Sequence, residues 1–241
     1  MNDFRILVVD DHPIVRSGLC SLLGSQKGWE VCGEASDGQD AVEKCRQLKP
    51  NLLILDICLP KLNGVDAARR ILKDNPTQRI LVFTEVSAEQ VIQDCLDAGV
   101  RGWVFKSDTN GDLTAAVREM QRNKPAFSAV VSDLVMDGYL RRRHPSLVSP
   151  ILPRLSSRQR EVLQLPSEGK NSKSIATILN ISVKTTETHR SNMMEKLNIH
   201  SIAGLVMYAV NNEIVHVHLP PVLQFPQAIQ GMGALLQRKA N

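Results

Sequence analysis

The chain has 241 residues, enough for two domains of ordinary size, with 43% hydrophobic and 22% charged residues and a formal net charge of +4. These are the proportions of a soluble globular protein. No run of roughly 18 apolar residues occurs, and MNDFRILVVDDHP has no apolar run behind a basic start. Neither a membrane span nor a signal peptide is therefore expected.

The five cysteines, Cys20, Cys32, Cys45, Cys58 and Cys95, are odd in number and form no C-x-x-C pair. Reduced thiols in a cytoplasmic protein are expected, not a disulfide frame or a zinc site. Charge divides unevenly. Residues 1–123 carry 15 Lys and Arg against 18 Asp and Glu, whereas residues 124–241 carry 14 against 7. A basic second half suits a phosphate-rich partner for that half alone.

In chain order, RILVVD (5–10) reads as a strand running into Asp10-Asp11. A helix follows with Ile14, Gly18, Leu19, Leu22 and Leu23 on its apolar stripe. Trp29 to Glu34 is a second strand. Asp37-Gly38 caps a helix carrying Ala41, Val42, Cys45 and Leu48, which stops before Pro50. Leu52 to Leu55 is apolar throughout, the mark of a strand buried on both faces of a parallel sheet. Asn63-Gly64 opens the next helix, followed by a strand at 80–84, a helix over 88–98, a strand at 102–105 and a helix over 112–122. Five strands alternating with five helices predict a doubly wound α/β domain with a five-stranded parallel sheet.

Such sheets bind ligands at the carboxyl ends of their strands. The predicted ends carry Asp10 and Asp11, Asp56, Thr84 and Lys106. Taken alone, Asp56 is either a reactive or metal-binding carboxylate or a capper of nearby amides. Three carboxylates at one edge repel one another unless a cation sits among them, and an oxygen-only set suits Mg²⁺. Lys106 and Thr84 add a compact positive charge and a hydroxyl, both suited to a phosphoryl group.

Asp10-Asp11, Asp56, Pro60, Gly64, Thr84 and Lys106, with Gly102-Trp103 before the lysine, make residues 3–123 resemble the receiver domain of two-component response regulators. The resemblance implies a flavodoxin-like fold with Asp56 as phosphoacceptor. It also implies Mg²⁺ held by Asp11, Asp56, the Cys58 carbonyl and, through water, Asp10. Thr84 would move toward the phosphoryl group and Trp103 would turn inward behind it, a two-state switch. Glu85 and Cys58 depart from common receivers and imply altered rates of that chemistry.

Beyond Lys124-Pro125, residues 128–140 have helical spacing. Arg141-Arg142-Arg143 with Pro145, Pro150 and Pro153 read as an extended connector. From Leu155 the pattern is all helical. Ser156 and Gln159 form a capping box, Pro166 ends or bends the first helix, and Asn180-Ile181-Ser182 turns into a second helix through Leu197. A last helix spans Ile202 to Val210. Two short helices about a tight turn predict a helix-turn-helix. Val183, Met193, Met194 and Leu197 are expected to pack inward.

The run LSSRQREVLQL…EGKNSKSIATILNISVKTTETHRSNMMEKL makes residues 154–211 look like the LuxR-type DNA-binding domain. That resemblance implies base reading by Glu187, Thr188 and Ser191. It implies backbone anchoring by Lys184, Thr185, Arg190 and Lys196, and dimerisation through the last helix.

The expected organisation is a receiver (1–123), a helical and Pro-rich linker (124–153), an all-α helix-turn-helix domain (154–211) and a tail (212–241) without a resemblance. The whole is identified as a NarL/FixJ-type response regulator, not an enzyme. It would be phosphorylated by a sensor histidine kinase and bind DNA as a homodimer in the cytoplasm, with no membrane partner. Alternatives are a phosphorylation-independent DNA-binding or scaffold protein, and a haloacid-dehalogenase-like aspartyl phosphatase. The latter would want a D-x-D motif, which Asp10-Asp11-His12-Pro13 does not supply.

Overall fold

The computed structural model describes residues 3–108, 110–143, 155–167 and 169–211. Its apolar runs pair into one parallel sheet of β1 (Phe4–Val9), β2 (Trp29–Ala35), β3 (Leu52–Leu55), β4 (Arg79–Thr84), β5 (Gly102–Phe105) and β6 (Ala126–Phe127). The spatial order is β2-β1-β3-β4-β5-β6. The sheet has six strands where five were expected. The extra strand is two residues long, with Ala126 beside Gly102 and Phe127 beside Trp103. A strand that short shows no alternation, so the sequence pattern folds it into the linker.

Side-chain alternation along the strands sorts the core into two layers. Ile6, Val8, Leu52 and Ile54 meet Leu19 and Leu23 of α1 (Pro13–Gly24) and Leu113, Val117 and Met120 of α5 (Asn110–Gln121). Leu7, Val9, Leu53 and Leu55 meet the opposite layer of α2 (Gly38–Leu48), α3 (Gly64–Asp74) and α4 (Glu89–Ala98). Ile14 is not part of the α1 stripe, being 87% exposed. It lies in the first turn of α1, ahead of the buried Leu19 and Leu23.

After β6 the chain continues as α6 (Ala129–Arg143), which buries Val131 in the α2–α4 layer. Arg141-Arg142-Arg143 end this helix instead of starting an extended connector, because no proline interrupts the chain before Pro145. Pro145, Pro150, Pro153 and the tail at 212–241 lie outside the described residues.

The second unit comprises α7 (Ser157–Ser167), α8 (Ser172–Ile178), α9 (Val183–Leu197) and α10 (Ile202–Asn211) around Leu155, Val162, Leu163, Met193, Leu205 and Ala209. The capping box forms reciprocally, with Ser156 N donating to Gln159 Oε1 at 2.9 Å and Gln159 N to Ser156 Oγ at 3.2 Å. Pro166 sits in the last turn of α7, and the helix ends one residue later. Gly169, at φ 76°, then reverses the chain. Val183 does not pack inward and is 37% exposed. It begins α9, where burial falls instead to Thr186 and Met193.

Candidate functional site

Parallel pairing aligns the strand ends, and the residues just beyond them converge. Asp10 and Asp56, 1% and 2% exposed, follow β1 and β3; Thr84, fully buried, ends β4; and Lys106 follows β5. Ligand atoms of Asp10, Asp11, His12 and Asp56 all lie within 4.8 Å of one another. Lys106 Nζ bridges two of the carboxylates, 2.7 Å from both Asp10 Oδ2 and Asp56 Oδ2. The other Asp56 oxygen accepts from Ile57 N at 2.6 Å and, more weakly, from Cys58 N at 3.4 Å.

Burial, the largest influence, pushes the Asp10 carboxyl above its ordinary 3.8; the Lys106 hydrogen bond pulls it back, and the neighbouring Asp56 charge adds to the rise. Burial alone would lower the Lys106 ammonium. The facing Asp56 and Asp10 carboxylates outweigh it and hold the amine above 10.5. The edge thus concentrates more negative charge than its one lysine neutralises, which is the electrostatic condition for a hard divalent cation. The donors are carboxylates with a single imidazole, so the residues present fit Mg²⁺.

The loop after Asp56 is held tightly on both sides. A Cβ built on Gly64 would stand 2.1 Å from the Asp56 carbonyl oxygen, and one on Gly38 would stand 1.9 Å from the Leu62 carbonyl oxygen. Only glycine permits these approaches. Lys61, itself at φ 62°, reaches Asp37 Oδ2 at 2.6 Å. Asn63 caps α3 by accepting from Asp66 N at 2.9 Å. Behind the site, Trp103 is fully buried and stacks edge-on against Phe105 at 6.1 Å, its indole N–H without a hydrogen-bond partner among the described residues. Trp103 thus occupies the inward position in this structure. Glu85 is exposed, its position pointing away from the packed core.

In the helix-turn-helix, Ser182 caps α9 by accepting from Thr185 N at 3.0 Å. Lys184, Thr185, Glu187, Thr188, Ser191 and Lys196 are all exposed along α9. Arg190 is half-buried and donates to Ser172 Oγ on α8 at 2.9 Å, so it also ties the two helices together. On α10, Ile202 and Met207 are 47% and 57% exposed.

The two units meet through α7. Gln164 Nε2 donates to the Leu59 carbonyl at 2.8 Å, and its Oε1 accepts from Asn63 N at 3.1 Å. Around it, Arg70 pairs with Glu161, while Arg160 lies 3.5 Å from Asp66 and 3.3 Å from Asp94.

A doubly wound domain with an acidic strand edge, followed by a helix-turn-helix, defines a two-domain regulator. Residues 6–118 match the model of the response regulator receiver domain, and residues 153–209 match that of bacterial regulatory proteins of the luxR family. The chain belongs to the LuxR/NarL family of response regulators, built from a receiver and a LuxR-type DNA-binding domain. It is 31% identical to the response regulator protein VraR of Staphylococcus saprophyticus over 88% of this chain and 98% of that one. RcsB of Salmonella typhimurium is 27% identical, with a TM-score of 0.64 over 88% of this chain and 99% of that one. A second RcsB structure, bound to promoter rprA in the presence of phosphomimetic BeF3-, is 27% identical with a TM-score of 0.60, covering 86% and 98%.

Sequence reasoning overlooked His12, whose Nδ1 lies 2.8 Å from Asp11 Oδ1. Its place directly after the aspartate pair was the available signal. It also overlooked Asn63 and Gln164 as partners. They are 101 residues apart, and nothing in either local pattern joins them.

Proposed function

We propose that this chain is a transcription regulator whose DNA binding is controlled by phosphorylation of Asp56. The observation that carries the reading is the convergence of Asp10, Asp11 and Asp56 with Lys106 bridging Asp10 and Asp56 at 2.7 Å. A sensor histidine kinase supplies the phosphoryl group. An Asp56 carboxylate oxygen attacks phosphorus, the bond to the donor breaks, and an acyl phosphate forms. Mg²⁺, held by Asp11, Asp56, the Cys58 carbonyl and, through water, Asp10, would neutralise charge on the transferring group. Lys106 shares that task and orients the acceptor, since phosphoryl transfer asks mainly for positioning and charge. Thr84, the buried end of β4, answers to the phosphoryl oxygen, with Trp103 packed behind it. Cys58 and Glu85 set the lifetime of the modification.

In the second domain, Glu187, Thr188 and Ser191 read base edges, while Lys184, Thr185, Arg190 and Lys196 hold the DNA backbone. The exposed apolar residues of α10 support a homodimer on DNA, with half-sites about one helical turn apart. The domains divide as receiver 1–123, linker 124–153, DNA-binding domain 154–211 and tail 212–241. No helix among the described residues is long and apolar enough to cross a membrane, and a cytoplasmic regulator without catalytic turnover on a separate substrate follows from this reading.

Incubation with acetyl phosphate and Mg²⁺ tests it. The expected result is a mass gain of one phosphoryl group, localised to Asp56, absent without Mg²⁺ and absent in Asp56→Asn. No gain, or an equal gain in Asp56→Asn, would sink the reading. A phosphorylation-independent DNA-binding protein is the second reading. It is favoured by the exposure of the α9 outer face while α7 is seated on the receiver.

A further inference from the structure

We infer that Gln164, although part of the DNA-binding domain, is a positioning residue for the acceptor loop of the receiver. The inference rests on the reading of Asp56 and its Mg²⁺ site given above. Gln164 is 4% exposed and uses both ends of its amide on one loop, donating to the Leu59 carbonyl at 2.8 Å and accepting from Asn63 N at 3.1 Å. Those two groups bracket residues 60–62, the second half of the segment that connects Asp56 to α3. The Cys58 carbonyl belongs to the peptide between Cys58 and Leu59. Leu59 N already donates to the Ile57 carbonyl at 3.0 Å, and Gln164 fixes the carbonyl on the other side of Leu59. The plane that aims the Cys58 oxygen is therefore held from within the loop and from α7.

Two further observations favour action on the loop over occlusion of the DNA-reading face. With α7 docked, Lys184, Glu187, Thr188 and Ser191 remain exposed. The ion pairs of Arg160 and Glu161 with α3 and α4 surround Gln164 and bring it to the loop in one orientation. A loop fixed in advance loses less freedom when it binds a cation. Docking of α7 therefore raises affinity for Mg²⁺, and by linkage Mg²⁺ tightens the docking by the same factor.

Full-length protein titrated calorimetrically with MgCl₂ alone tests the inference in wild type, Gln164→Ala and Gln164→Glu. A glutamate accepts from Asn63 N but cannot donate to the Leu59 carbonyl, so Gln164→Glu loses half of the clamp and Gln164→Ala all of it. Mg²⁺ binding is expected to weaken about threefold to tenfold in Gln164→Ala, the scale of one or two net hydrogen bonds. The rate of Asp56 modification by acetyl phosphate should fall in step. Amide exchange of α7 should slow on adding Mg²⁺ to wild type and not in the variant. If Gln164→Ala does not fold, Gln164→Asn, too short to reach both partners, is expected to shift the affinity in the same direction. Folded variants with wild-type Mg²⁺ affinity would overturn the inference while leaving Asp56 as phosphoacceptor. A wild type that takes up neither Mg²⁺ nor a phosphoryl group would overturn the underlying reading and this inference with it.

Discussion

Gly64 stands where the chain leaves the acidic edge for α3, and a methyl group there would overlap the Asp56 carbonyl at 2.1 Å. Gly64→Ala must therefore shift either β3 or α3, and urea unfolding should show a loss of about 1–3 kcal/mol, as for other overpacked sites. Two carboxylates near the loop respond to pH in opposite ways. Asp37 is buried, which alone would raise its pKa, but Lys61 and the Asp40 and Gln39 amides outweigh this and hold it below 3.8. A depressed carboxyl contributes stability above its unfolded pKa and loses it as pH falls through the folded value. Acid titration of stability below about pH 4 should thus be steeper in wild type than in Asp37→Asn. Asp10 is shifted the other way, chiefly by burial. Its contribution is present below 3.8 and lost as pH rises through the raised folded value, so at neutral pH its charge opposes folding. Thermal unfolding of metal-free Asp10→Asn at pH 7 should occur above wild type, and added Mg²⁺ should then raise wild type more than the variant. Of these residues, Asp10, Asp11, Asp56, Thr84 and Lys106 were legible because each ends an apolar run. His12 and the glycine contacts were not, since proximity across loops leaves no period in the sequence.

At the scale of elements, the buried parallel strands announce themselves as continuous apolar runs, and the helices between them as spaced stripes. What escaped is informative. β6 is two residues long and carries no alternation. α6 continues through Arg141-Arg142-Arg143 because charge alone does not stop a helix while proline does, and the first proline comes at Pro145. Val183 and Ile14 are apolar by type yet exposed, each in the first turn of a helix whose burial begins further along. Caps were readable where their chemistry is local. Ser182 accepts from Thr185 N, so Ser182→Ala should lower the stability of the helix-turn-helix by about 0.5–2 kcal/mol in a denaturant series. It should leave receiver unfolding unchanged, because among the described residues the side-chain hydrogen bonds of Ser182 run to Thr185 of α9.

Across the whole molecule, the relation between the two domains was the least legible feature. Charge asymmetry pointed to a nucleic-acid partner for the second half, yet gave no sign that α7 would seat on the receiver. The contact pairs Arg160 and Glu161 with Asp66, Asp94 and Arg70, and these charges are common on any solvated helix. Only the folded chain shows that they meet around Gln164 and the loop following Asp56. One end of that loop serves the proposed phosphoryl chemistry and the other the DNA-binding domain, so a change at Asp56 has a short physical route to α7. The direct measurement is footprinting of target DNA at physiological salt by full-length protein, with and without acetyl phosphate and Mg²⁺, in wild type and Asp56→Asn. The expected result is occupancy that rises with phosphodonor in wild type and stays at the unmodified level in Asp56→Asn. Equal occupancy in all four samples would contradict control of DNA binding by Asp56.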